Sequence, residues 1–130
     1  MGEAWPIGAS KVIDRSVLGR ALEEFGDEAA EIFAQLLETY SSDTPSLIAQ
    51  IAEAAQRGEL IQIGRIAHRL KGSCSQMGAI AMSATAERVE QAAAAGSADE
   101  LFHAVGELPA LWQQTSAELN DWLTAVTRGD

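Results

Sequence analysis

The sequence predicts an all-α protein: an antiparallel up-down-up-down four-helix bundle with a short additional helix on its N-terminal side. Three observations lead there. Apolar residues recur in steps of three and four along most of the chain. The periodic runs are punctuated by single glycines at 26, 58, 78 and 96 rather than by long loops. Alanine is abundant, aromatic residues make up only 5% and prolines number three, a composition suited to helices and poor for a β-sandwich. At 130 residues the chain supports one domain around a single core.

Residues 1–12 carry little periodicity and read as a partly irregular lead-in to a bundle domain at 13–127, with 128–130 as a tail. Asp14 is a suitable N-cap for the short first helix, whose apolar side is Val17, Leu18, Ala21, Leu22 and Phe25. Gly26 closes it, and Asp27 is placed to cap the next. The second helix, from about Glu28, turns Phe33, Leu36, Leu37 and Tyr40 inward. Pro45 interrupts it, Asp43 or Thr44 is available to recap, and Leu47, Ile48 and Ile51 resume the stripe. The expectation is one long kinked helix, or two nearly collinear pieces, ending at Gly58.

The third helix has the most regular seam: Leu60, Ile63, Ala67, Leu70, Cys74 and Met77, with Gly78 as a left-handed stop. A fourth helix begins near Ala79, with Met82, Ala86, Val89 and Ala93 inward, and ends at Gly96. Ser97-Ala98-Asp99-Glu100 has the spacing of a capping box. It opens a fifth helix with Leu101, Val105, Leu108, Trp112, Leu119, Trp122 and Val126 on its seam and a bend expected at Pro109. Long amphipathic helices joined by short turns pack as antiparallel neighbours, which is the bundle.

Charge narrows the function. Nineteen acidic against nine basic residues give a net −10, which argues against nucleic acid, whose binding rests on neutralising phosphates. There is no apolar run long enough to span a membrane, and no basic stretch followed by an apolar run as in a secretory signal. A lone cysteine fits a reducing compartment, so the cytoplasm is expected. Within this acidic chain the charge reverses locally. No Asp or Glu lies between Leu60 and Ala86, and Arg65, Arg69 and Lys71 all fall in that gap.

His68 lies in the centre of it. On the helical wheel it follows the seam residue Ala67 and flanks the core, with Gly64, Gly72 and Ser75 at i−4, i+4 and i+7. Each glycine inside a helix costs roughly 1 kcal/mol relative to alanine, which this chain uses freely elsewhere. Either a neighbouring helix packs closely there, or space is cleared for a partner pressing onto His68. The adjacent Arg65, Arg69 and Lys71 favour the second. Imidazole is largely neutral near pH 7, so one ring nitrogen keeps a lone pair for an incoming phosphoryl group. Lys71, at i+3, can neutralise phosphoryl oxygens. The other ring nitrogen needs a partner to fix the tautomer. If the third and fourth helices reverse at Gly78-Ala79, Glu90 and Glu87 are the nearest carboxylates, Glu90 being the favoured orienter.

These residues resemble the histidine-containing phosphotransfer (HPt) domain, whose helices carry an Ala-His-x-Leu-Lys-Gly-Ser segment followed by Leu-Gly-Ala. Here the matching residues are Ala67, His68, Leu70, Lys71, Gly72, Ser73, Gly78 and Ala79, with Met77 where leucine is usual. The resemblance runs from about Ile13 to Trp122 and includes the Phe25-Gly26-Asp27 turn, the Gly58 turn and the Val89-Glu90 pair. It implies a phosphoryl carrier between receiver-domain aspartates in a two-component phosphorelay. His68 would be phosphorylated on Nε2, and the receiver would supply Mg²⁺ and most of the catalysis. The implied partners are receiver domains of response regulators or of a hybrid sensor histidine kinase. They would dock on the exposed surface formed by Ile61, Gly64, Arg65, Arg69, Gly72, Ser75 and Gln76.

Other readings of the same residues differ in what they require. A helical adaptor that binds a receiver-like partner without carrying phosphate would share this surface, and His68→Gln would leave its binding intact. An acidic nucleic-acid mimic would need a negative face where the gap lies. His68 and Cys74 are too few ligands for a metal, and Leu-Lys-Gly-Ser lacks the upstream glycine and loop of a nucleotide-binding P-loop. No cofactor, metal or ATP site is expected, and the chain is expected to be a monomeric carrier. His103 reads as a half-exposed helix residue and Cys74 as a small buried one. Trp5, Trp112 and Trp122 read as packing or terminal anchors, and Glu28, Glu31 and Glu38 as a solvated face.

Overall fold

Helix formation begins where the first cap allows it. The Asp14 carboxylate accepts from the Ser16 backbone N–H at 2.9 Å and the Ser16 hydroxyl at 2.6 Å, and α1 runs from Arg15 to Phe25. The computed structural model describes residues 12–128, so the lead-in up to Lys11, with Trp5, and the last two residues lie outside the described residues. After α1 comes a 3₁₀ turn at Gly26–Glu28, then α2 (Ala29–Gln56), α3 (Leu60–Gln76), α4 (Ile80–Ala95) and α5 (Ala98–Thr127). The 3₁₀ turn replaces the expected cap at Asp27: α2 starts after Glu28 with no side-chain cap bond. Ser97 does occupy the N-cap position of α5, but its side chain makes no capping bond.

Neither proline breaks its helix. Pro45 and Pro109 lie within α2 and α5, both exposed. A proline removes one backbone donor and crowds the preceding turn. Leu47, Ile48 and Ile51 remain buried just beyond Pro45, so packing on both sides holds the helix through the defect. The expected recapping at Asp43 or Thr44 does not occur, since Thr44 is fully buried within α2.

Side-chain partners show how the helices run. From His68 through Lys71 to Ser75 along α3, the partners on α4 step back from Glu90 through Glu87 to Ser83, so these helices are antiparallel. The same reversal joins α2 to α5. Phe33 meets Trp122 edge-on with ring centroids 4.8 Å apart, and Tyr40 meets Trp112 at 5.3 Å. With α2 on α3 and α4 on α5, the four long helices close a ring around Ile51, Ile63, Leu70, Met82, Val89, Leu108 and Leu119, all fully buried. Each such side chain contributes roughly 1.5–3 kcal/mol by leaving water. Two expected seam residues lie outside this core: Leu36 is 46% exposed and Leu60 39%.

The entry to α1 is tied to the α3–α4 turn. Asp14 N–H donates to the Gly78 carbonyl at 2.7 Å and Ala81 N–H to the Val12 carbonyl at 3.3 Å. Gly78 is required twice over: its φ is +69°, and a Cβ there would sit 3.1 Å from the Asp14 carbonyl oxygen. This clamp fastens the entry of α1 to the α3–α4 hairpin, whose own turn is closed by Gly78 N–H to the Ser75 carbonyl and Ala79 N–H to the Cys74 carbonyl.

Candidate functional site

Ala67 is fully buried, so the next residue leaves the core at its edge, and the His68 side chain is 67% exposed. Its Nδ1 lies 3.0 Å from Oε2 of Glu90 across the α3–α4 seam. An ionised carboxylate can only accept, so the pairing assigns the proton to Nδ1. Nε2, without a hydrogen-bond partner among the described residues, keeps the lone pair. The second oxygen of Glu90 lies 3.1 Å from Lys71 Nζ, and Glu87 approaches the same ammonium at 3.8 Å. The bond from Lys71 above all holds the Glu90 carboxyl below the usual range; burial opposes it, and the weaker contribution of His68 adds to the lowering. Of the two carboxylates weighed from sequence, Glu90 stands beside the imidazole and Glu87 beside Lys71. Arg88, between them in sequence, turns away to α5, where its guanidinium grips Glu107 through both carboxylate oxygens and also meets Glu100.

The two glycines flanking His68 face open space. A Cβ at Gly64 or Gly72 would meet nothing within 4 Å. No neighbouring helix therefore demands glycine at either position, and the packing explanation weighed from sequence has no contact to rest on. A groove of about 800 Å³ opens at the histidine, lined by Leu60, Ile61, Gly64, Arg65, His68 and Arg69 of α3 and by Glu90, Ala93 and Ala94 of α4. Arg65 and Arg69 have no ion pair among the described residues, so both cations remain available to a partner. The remaining candidate contacts lie beyond His68: Gly72, Ser75 and Gln76 are exposed. Ser75 lines a smaller hollow with Lys71, Ile80, Ser83, Ala84 and Glu87. Its hydroxyl is hydrogen-bonded to that of Ser83 at 2.8 Å. The candidate surface thus divides into an apolar groove edged by cations and a polar shoulder, with the imidazole between them.

Residues 35–127 match the family model for the Hpt domain. The chain belongs to the Hpt family. A solved structure, histidine-containing phosphotransfer protein B (HptB) from Pseudomonas aeruginosa PAO1, is similar over 89% of this chain and 97% of its own, with a TM-score of 0.78 at 21% sequence identity. At that identity the likeness speaks to the fold. No curated protein matches the sequence. Hpt domains act as phosphoryl carriers in phosphorelays and work with receiver and kinase partners, and membership brings that class of role to this domain.

For this Hpt domain, sequence reasoning missed part of the groove wall. Leu60, a seam residue by its spacing, stands partly exposed at the groove mouth, and Ala93 and Ala94 form the opposite side. A signal existed for Leu60: it opens α3 directly after the turn, where a helix has not yet reached full packing. His103, the other histidine, is exposed and bonded through Nδ1 to the Asp99 carbonyl at 2.7 Å, within its own helix. Among the described residues no cluster of His, Cys, Asp or Glu could hold a metal, and no helix is long and apolar enough to cross a membrane.

Proposed function

We propose that this chain, through the domain at 13–127, carries a phosphoryl group on His68 between receiver-domain aspartates in a two-component phosphorelay. The observation that carries this reading is the exposed imidazole whose Nδ1 is held 3.0 Å from Glu90. That bond leaves Nε2 free to attack. Its lone pair forms the N–P bond while the phosphorus–oxygen bond of the aspartyl phosphate breaks, and the aspartate departs as carboxylate with the electron pair. The ring then carries positive charge with its proton still on Nδ1, opposite the Glu90 anion. Lys71, 3.1 Å from Glu90 and one helical turn from His68, would supply positive charge to the phosphoryl oxygens. Passing the group on runs the same steps in reverse. Mg²⁺, where the receiver brings it, neutralises the phosphoryl charge from the partner's side.

Ile61, Gly64, Arg65 and Arg69 would meet the receiver on one side of His68, and Gly72, Ser75 and Gln76 on the other. The receivers would be those of response regulators or of a hybrid sensor histidine kinase, met in the cytoplasm by a monomeric carrier. Phosphoramidate, a small donor that needs no docking surface, tests the chemistry directly. Intact mass should show one added phosphoryl group on wild type and none on His68→Gln, lost in acid and retained in alkali. A folded wild type that takes no label from phosphoramidate or from any charged receiver would leave the phosphate-independent adaptor as the better account.

A further inference from the structure

Large apolar side chains are sparsely exposed on this molecule, and most of them gather at one end. Among the described residues, Leu36, Leu60, Ile61, Ile80 and Phe102 are the exposed large hydrophobics. Three of the five stand at the end where α2 turns into α3 and α4 into α5. Phe102, on the first turns of α5, is 78% exposed and Ile61 76%. Phe102 and Leu60 wall a hollow of about 350 Å³ floored by Ala55, Ala98 and Leu101. Leu60 also lines the larger groove that reaches His68. Leu60 therefore borders both the hollow and the groove. Single exposed apolar side chains are ordinary, whereas several gathered at one end of a molecule mark an interaction surface.

The position of this surface says what covers it. Leu60 precedes His68 by just over two helical turns, about 12 Å along the axis. A partner making an interface of ordinary size covers roughly 800 Å² on each side, a patch about 30 Å across. A receiver seated over His68 thus overhangs Leu60 and reaches the hollow. A second copy of this chain fits poorly. Each copy carries a net charge of −10, and a twofold contact on this face would set the unpaired Arg65 and Arg69 of one copy near those of the other.

We propose that Phe102, with Leu60, forms an anchor site for the receiver beyond the transfer centre, so that α5 contributes to partner selection. The proposal rests on the carrier reading and deepens it. It assigns affinity to a residue remote from the imidazole, and leaves the chemical step to His68.

The test measures transfer from a receiver domain charged with acetyl phosphate, chosen from a panel as the fastest donor to wild type. In Phe102→Ala the receiver concentration for half-maximal transfer is expected to rise about fivefold or more, the scale of a buried aromatic anchor. It should rise further in Phe102→Glu, while the rate at saturation stays within about twofold in both. Leu36→Ala, which trims an exposed apolar side chain outside the hollow, should match wild type. A shift below about twofold in both Phe102 variants, or an equal shift in Leu36→Ala, overturns the anchor. His68→Gln run alongside separates the two readings. If it still takes phosphate from the receiver, the carrier reading fails while any Phe102 effect on half-saturation stands. A wild type that accepts phosphate from phosphoramidate but from no receiver overturns the anchor and the receiver partnership together.

Discussion

Glu90 meets two cationic side chains at once, His68 through one oxygen and Lys71 through the other. Because its carboxyl is held below the usual range, it is ionised throughout the pH interval in which imidazole is neutral, and it fixes the tautomer across that interval. Glu90→Gln retains an acceptor for Nδ1–H but loses the charge that balances the phosphorylated ring. A charge-assisted hydrogen bond exceeds a neutral one by about 1–1.5 kcal/mol, so His68 should label from phosphoramidate about tenfold more slowly at pH 7. A time course by intact mass reads this directly, and an unchanged rate would remove Glu90 from the chemistry. The choice of Glu90 could be made from sequence because a tight hairpin converts residue number into height. The Lys71–Glu90 contact could not, since it depends on which of several rotamers a long side chain adopts.

At the scale of the element, α3 gives up local stability to keep its outer face open. Gly64 and Gly72 have ordinary helical backbone and no neighbour within reach of a Cβ. Alanine at either position should therefore raise stability by roughly 0.5–1 kcal/mol, read as a higher urea midpoint at constant slope. A larger side chain at Gly72, leucine for example, should keep the helix and impede transfer from a charged receiver, leaving the small donor less affected. A destabilised Gly72→Ala would mean that the backbone itself needs glycine there. In α2 and α5 each helix runs through its proline unbroken, as the one-long-helix expectation for α2 has it, and without the recapping expected at Asp43 or Thr44. A proline predicts a break from local geometry alone, yet Thr44, Leu47 and Ile48 bury against the other helices on either side of Pro45. Tertiary packing outweighed one missing hydrogen bond. At Asp27 and Ser97 the exposed turns are closed by backbone bonds instead of side-chain caps: Ala29 N–H to the Gly26 carbonyl, and Ser97 N–H to the Ala92 carbonyl.

At the scale of the whole molecule, a buried polar pair links α2 to α3. The Tyr40 hydroxyl and Cys74 Sγ are 3.1 Å apart, with Trp112 of α5 against the Tyr40 ring. Burial pushes the Cys74 thiol up to about 11, only partly offset by the bond from Tyr40, and burial likewise pushes the Tyr40 phenol up. An unfolded chain would release the thiol proton near the ordinary value of about 8.5. The folded state retains it. Between those values the native protein binds more protons than the unfolded one, so stability is complete below about pH 8.5 and falls as pH rises towards 11. Melting temperatures measured from pH 8 to 11 should decline over that interval, and a flat profile would contradict the burial of this pair. The thiol is correspondingly inert at neutral pH, in keeping with a packing role.

The sequence by itself determined the helices, their order and the placement of His68, Lys71 and Gly72 on one exposed face. These follow from period, punctuation and short turns, which act within a few residues of chain. Tertiary structure decided what depends on the distance between helices. The packing of α3 on α4 places Lys71 between the carboxylates of Glu90 and Glu87. Packing carried α2 and α5 through their prolines. The meeting of two helix turns left Leu60 and Phe102 facing solvent across one hollow. A hydrophobic pattern reveals which residues favour burial. Only the assembled bundle, whose core has finite room, determines which of them are left outside for a partner.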